Sequence, residues 1–207
     1  MPASSAAAKR RDRSSRRDAG IPSPWKMFLK GFFKNPVMVG AIAPSSGRTI
    51  RKTLAPVDWS NCKLFVEYGP GVGTFTQPIL DRLAPDGKLV VIDTNPDFIR
   101  YLKHTITDSR LFPVLGSAAD VQQIIRDHGF EKADYIASGL PFSTLPPGIG
   151  DAIVEATHEV LRRNGAFLVY QYNPAVKNFL SPHFEHIDHD MEWLNIPPAQ
   201  IWTCWKD

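Results

Sequence analysis

The stretch Leu64-Phe65-Val66-Glu67-Tyr68-Gly69-Pro70-Gly71-Val72-Gly73 constrains this chain more than any other part of it. Leu64-Phe65-Val66 is a short apolar run of the kind found where a parallel strand is covered on both faces. Three glycines follow at alternate positions, and a helix-type segment opens near Thr74. Alternate glycines let the backbone turn sharply and let a ligand approach with no Cβ in the way. The spacing is G-x-G-x-G, whereas a dinucleotide fingerprint puts its third glycine one position later. Glu67 faces a pyrophosphate unfavourably but suits a ligand whose amino-acid end is cationic. Asp93 closes the next apolar run, with Thr94 after it, at the place where a carboxylate accepts the two ribose hydroxyls of a nucleoside.

The rest of the chain supplies the frame for such a turn. β-type runs cover 63–67, 88–93, 111–115, 134–138 and 165–171, with helix-type segments at 75–83, 96–107, 119–128 and 149–163 between them. Continuous apolar strands alternating with helices predict an α/β fold, a mostly parallel sheet with helices on both faces. The stretches 183–193 and 200–206 read instead as two strands without a helix between them, joined at Asn195-Ile196-Pro197-Pro198. They predict an antiparallel hairpin closing one edge.

Charge divides the chain in two. Residues 1–34 carry nine Lys/Arg and two Asp, while the remainder carries fifteen basic and nineteen acidic side chains, within a formal net charge of +3. Residues 1–23 are Ala, Ser, Arg and Pro with almost no large apolar side chain, a composition that predicts a disordered tail. Over 24–35 the pattern changes. Trp25, Phe28, Leu29, Phe32 and Phe33 fall on one face of a helix, and Lys26, Lys30 and Lys34 line another. Asn35-Pro36 ends it, leaving 36–207 as one domain. A basic head on a mildly acidic domain suggests an anionic partner, a membrane surface or nucleic acid.

No apolar run approaches the roughly 20 residues of a spanning helix, and no signal core follows the basic tail. Cys62 and Cys204 form no CxxC pair. Neither a disulfide framework nor a structural zinc site is expected, which suits a reducing cytosol. His183, His186 and His189 recur every third residue, but on a strand that spacing alternates faces, so no metal site is expected. Trp193, Trp202 and Trp205 are read as core and edge packing.

Glu-x-G-x-G-x-G followed by a strand-terminal Asp resembles the class I S-adenosylmethionine-dependent methyltransferases. The resemblance implies S-adenosylmethionine held by Glu67, Gly69, Gly71, Gly73, Asp93, Thr94 and Ser138. Many of these enzymes carry Gly-Asp-Ala after the third strand, with the Asp on the adenine amino group. Here Gly116-Ser117-Ala118 stands instead, so Ser117 and Ala118 are the candidate adenine contacts, with Asp120 a displaced carboxylate. The fourth strand runs into Ser138-Gly139-Leu140-Pro141-Phe142. Base-directed amino methyltransferases place Asn-Leu-Pro-Tyr or Asp-Pro-Pro-Tyr there. Gly139 removes the polar side chain that would hold a base, which points to a smaller amine. A carbonyl of Gly139 or Leu140 is the candidate to orient it, and Phe142, Tyr170 and Tyr172 are the candidate aromatic faces for a growing cation.

Three stretches together resemble a particular family, the soluble bacterial phospholipid N-methyltransferases, which are related to the rRNA adenine dimethyltransferases. They are Val39-Gly40-Ala41-Ile42-Ala43-Pro44-Ser45-Ser46, Val66 to Gly73, and Asn195-Ile196-Pro197-Pro198-Ala199-Gln200-Ile201-Trp202. The resemblance implies a seven-stranded Rossmann-like sheet and stepwise methylation of phosphatidylethanolamine towards phosphatidylcholine. It also implies a cytoplasmic protein held at the inner face of the cell membrane by the helix over 24–35, with Gly40–Ser46 over the cofactor. Ornithine lipid as acceptor, an RNA adenine, and a non-catalytic membrane-binding module are the alternatives.

Overall fold

A computed structural model describes residues 47–195 and 198–207 of the chain. The tail read over 1–23, the helix read over 24–35, the stretch Val39 to Ser46, and Ile196 and Pro197 lie outside the described residues.

The described chain runs α1 (Gly47–Thr53), β1 (Leu64–Tyr68), α2 (Thr76–Leu80), β2 (Lys88–Asp93), α3 (Pro96–Thr105), β3 (Leu111–Leu115) and α4 (Val121–Asp127). It continues with β4 (Ala133–Ser138), α5 (Ile149–Val160), β5 (Leu161–Gln171), α6 (Lys177–Leu180), β6 (His186–Glu192) and β7 (Ala199–Trp205). The seven strands form one sheet in the order β3-β2-β1-β4-β5-β7-β6. β1 to β5 run parallel, and β7 lies antiparallel to both β5 and β6.

Strands β1 to β5 feed two cores. Leu64, Val66, Tyr68, Ile136, Phe167 and Val169 point to the face covered by α4 and α5. Phe65, Leu89, Val91, Ala137 and Leu168 point to the face covered by α1, α2 and α3. All five residues of β1 are buried, which is why its sequence reads as a continuous apolar run with no alternation. Helix starts are set by local chemistry. Asn95 caps α3, its side chain accepting from the Asp97 N–H, with Pro96 in the first turn.

Three boundaries differ from the sequence reading. α5 ends at Val160, not Arg163, and Leu161 already begins β5. The guanidinium of Arg162 pairs with Asp134, whose other carboxylate oxygen accepts the N–H groups of Lys63 (2.7 Å) and Leu64 (2.8 Å). That side chain pins the amino ends of β1, β4 and β5 together and holds residue 162 in the strand. The last hairpin begins at His186, because His183 closes a turn onto Leu180. Trp193 is no packing residue: it is 70% exposed with Leu194 at the hairpin tip, while Trp202 is buried and stacks on His189. Among the described residues no helix is long and apolar enough to cross a membrane.

Candidate functional site

Strand order reverses between β1 and β4, so their carboxyl ends diverge and leave a crevice between the loops that follow. The turn 69–73, the end of β2 at Asp93, the turn 116–118 after β3 and the loop 139–142 after β4 all lie on this edge of the sheet. The residues chosen from sequence are therefore brought to one place by the topology.

The three glycines of the first turn have different tasks. All have positive φ, at +66°, +55° and +85° for Gly69, Gly71 and Gly73. A Cβ on Gly69 would stand 2.9 Å from Leu140 Cδ2, and one on Gly73 would stand 2.8 Å from Leu102 Cδ2. Those two are needed for close packing against the β4 loop and α3. Among the described residues a Cβ on Gly71 would meet nothing within 4 Å. Gly71 is the glycine whose α-carbon faces open space, where a ligand can approach the backbone.

Two carboxyls flank this turn. Glu67 is 3% exposed, and its Oε2 accepts the Thr76 hydroxyl at 2.7 Å. Burial pushes its carboxyl up to about 8; the Thr76 hydrogen bond opposes the rise and the charge of Asp93 adds to it. A buried carboxyl with one hydroxyl partner is a ready site for a cation. Asp93 reaches back across the turn, its Oδ2 accepting weakly from Gly71 N–H (3.4 Å) and its Oδ1 from Asn95 N–H (2.8 Å). Burial raises it to about 6, against the backbone hydrogen bonds that lower it. Thr94 beside it is exposed.

At the end of β3, Ser117 caps a short 3-10 turn, its Oγ accepting the Ala119 N–H at 3.2 Å. The hydroxyl keeps an O–H that can still donate, while Ala118 packs into the core and offers a ligand its backbone alone. Asp120 is exposed. Leu115, just ahead of this turn, is 56% exposed, an apolar surface for a flat ring. In the sequence a leucine ending an apolar run looks like core, so nothing there marks it as a surface.

The β4 loop is the most constrained part. Ser138 is fully buried and its Oγ accepts the Leu140 N–H at 3.2 Å, so it shapes the loop. The Leu140 carbonyl accepts both Gln171 Nε2 (2.5 Å) and Phe142 N–H (3.0 Å), which uses both of its lone pairs. It has none left to orient an amine. Phe142 is 1% exposed and packs against Phe179, so its ring belongs to the core and presents no face. Pro141 leads into the 3-10 turn Phe142–Thr144. Tyr170, from β5, lies against this loop and stacks on Phe75 with ring centroids 4.3 Å apart. Tyr172 is half-buried and its hydroxyl accepts from Asn195 Nδ2 at 3.3 Å. Gln171 and Thr76, which hold a carbonyl and a carboxyl of the site in place, were invisible to sequence reasoning because each acts on a residue distant along the chain or across a turn.

No family model matches the chain. It is 33% identical over 180 residues to an ornithine lipid N-methyltransferase of Singulisphaera acidiphila, a match covering 86% of this chain and 94% of that protein. A ribosomal RNA small subunit methyltransferase A of Alkaliphilus metalliredigens is 32% identical over 85 residues, 40% of this chain and 29% of that protein. Among solved structures, a precorrin-6y C5,15-methyltransferase from Geobacter metallireducens superposes with a TM-score of 0.64 at 14% identity, covering 84% of this chain and 96% of that one. The N-methyltransferase NodS from Bradyrhizobium japonicum, in complex with S-adenosyl-L-homocysteine, gives 0.63 at 13% identity, covering 89% and 99%. At such identities the two structures establish the fold, and the longer sequence match carries more.

Proposed function

The chain belongs to the family of the ornithine lipid N-methyltransferase, within the class I S-adenosylmethionine-dependent methyltransferases, and from that premise we propose that it methylates the headgroup amine of a membrane aminolipid. The observation that carries the reading is the match across 94% of a lipid N-methyltransferase. Ornithine lipid, the acceptor named for that relative, and phosphatidylethanolamine, the acceptor implied by the three sequence motifs, are the two candidates. Both present a primary amine at the end of a short flexible arm.

The site fits the cofactor. Gly71 would open the backbone to it, Glu67 would supply a buried acid for its ammonium end, and Asp93 with Thr94 would accept from its ribose hydroxyls. Leu115 and Ser117 offer the adenine ring an apolar surface and a donor. When bound, S-adenosylmethionine supplies a methyl group activated by its sulfonium: the amine lone pair forms the new N–C bond and the S–C electron pair stays on sulfur. The chain's part is to hold a neutral amine in line. An ammonium has no lone pair to attack with, and a half-buried loop at residues 138–142 lowers an amine's pKa. The proton of the methylated ammonium then leaves to solvent.

Gly139 argues against a nucleobase. A Cβ there would stand 2.3 Å from the Tyr170 hydroxyl, so the Asn or Asp that holds a base amino group would have to displace that ring. We place membrane contact, at the inner face of the cell membrane, on the sequence segment 24–35 with Trp25, Lys26, Phe28, Leu29, Lys30, Phe32, Phe33 and Lys34. Its five large apolar residues and three lysines match the composition of interfacial helices. Purified protein incubated with methyl-labelled cofactor and vesicles of phosphatidylethanolamine or ornithine lipid, or with rRNA, tests the reading. Label in lipid is expected; label in RNA and none in lipid overturns it.

A further inference from the structure

Resting on the aminolipid reading, we infer that Tyr170 replaces, from β5, the side chain missing at Gly139, and that its hydroxyl oxygen is the hydrogen-bond acceptor for the substrate amine. A Cβ on Gly139 would stand 2.3 Å from Tyr170 Oη, 2.7 Å from its Cζ and 3.3 Å from its Cε1. The hydroxyl thus occupies the volume into which an Asn or Asp at 139 would grow. The polar atom is present at the head of the β4 loop but arrives from the neighbouring strand, 31 residues later in the chain.

Three observations support the assignment. The ring is held by stacking on Phe75, at the start of α2 directly after the glycine turn. Tyr170 therefore stands between the cofactor turn and the acceptor loop. Of the two loop carbonyls that could compete, that of Leu140 is already used by Gln171 and Phe142. Finally, an amide side chain presents a donor and an acceptor side by side, as the edge of a base requires. A phenol presents a single oxygen, sufficient for one N–H.

The chemistry predicts a signature that a structural role does not share. A neutral primary amine has two N–H groups, its monomethyl product one and its dimethyl product none. The hydrogen bond to Tyr170 is available to the first two methyl transfers and absent from the third. Because the amine gains positive charge as it is methylated, losing this hydrogen bond lowers turnover by about 10- to 100-fold, the range for hydrogen bonds to charged groups. Tyr170→Phe keeps the ring and its stacking, so binding of S-adenosylhomocysteine should stay within about twofold of wild type, as a ring-conserving change removes no packing.

The test measures kcat and KM of wild type, Tyr170→Phe and Gly139→Ala on vesicles carrying the primary, monomethyl and dimethyl forms of whichever of phosphatidylethanolamine and ornithine lipid takes label. Gly139→Ala drives a methyl group into the hydroxyl and should reproduce the pattern by displacing it. The expected result is a large fall in kcat on the first two acceptors and little change on the dimethyl acceptor. Equal losses on all three, or no loss from Tyr170→Phe, overturn the inference and leave the aminolipid reading standing. Wild-type protein that labels neither lipid overturns both.

Discussion

At Glu67 a carboxyl that prefers to be protonated near neutral pH sits where a cation is expected. An ammonium brought beside it favours the ionised form and draws its pKa down from about 8. Binding is then coupled to proton loss. Affinity for S-adenosylhomocysteine, which keeps the ammonium end, should rise as pH climbs from about 6 to about 8 and level off above, by at most tenfold per unit. Calorimetry in buffers of different ionisation enthalpy should find proton release in that window, and a flat profile would remove Glu67 from the contact. The same shift has the opposite sign for stability without ligand. The folded pKa lies above the ordinary value of 4.5, so the contribution is complete below pH 4.5 and is lost as pH rises towards 8. Glu67→Gln keeps an acceptor for Thr76 and should raise Tm at pH 8 while weakening binding. Gly71 and Gly73 separate affinity from folding in another way. Alanine at either meets a positive φ, costing about 1–2 kcal/mol. Gly73→Ala also strikes Leu102 and should show the larger fall in Tm, whereas Gly71→Ala puts its methyl into open space and should show the larger loss of affinity relative to its Tm.

Among the elements, the strands were legible because burial on both faces writes itself as unbroken apolar runs; β1 to β4 stand within one residue of their expected bounds. The end of α5 was not, because Leu161 fits the apolar period of the helix while the group that pulls Arg162 into the strand is Asp134, 28 residues away. Gly139 is the same problem in the site. It reads as a deleted side chain, and only the packing of β5 beside β4 shows the space filled by Tyr170. Phe142 looked like a cation face by its motif and is core by its neighbours. Asp134 carries an element-scale prediction. Asp134→Ala strands the N–H groups of Lys63 and Leu64 at about 1–3 kcal/mol each. Thermal unfolding should shift down by about 5–15 °C. Affinity for S-adenosylhomocysteine should hold, because the pin lies at the amino ends of strands whose carboxyl ends form the site.

For the whole molecule, the question is how a domain with an acidic balance meets an anionic lipid surface. Residues 47–207 contain fifteen of the basic side chains and all but two of the acidic ones, so the domain by itself gains nothing from negative lipid. The basic excess lies in residues 1–34, where each Lys or Arg near such a surface contributes on the order of 1 kcal/mol, screened over about 10 Å at 0.1 M salt. Five large apolar residues at helical spacing add a term that salt does not weaken. The proposed division of labour is therefore a head that holds the surface and a sheet edge that does the chemistry. Removing residues 1–34 should lower partition onto anionic vesicles by more than about 100-fold at low salt, since loss of about three such contacts already accounts for that factor. Raising salt should weaken the full chain towards a floor set by the apolar face. The truncated protein should still bind S-adenosylhomocysteine, since Glu67, Gly71 and Asp93 all lie beyond the cut. Vesicle co-sedimentation alongside calorimetry reads both arms. A truncated chain that sediments with vesicles as well as the full one would move membrane contact onto the domain itself, where the exposed Trp193 and Leu194 of the hairpin tip are the next residues to change.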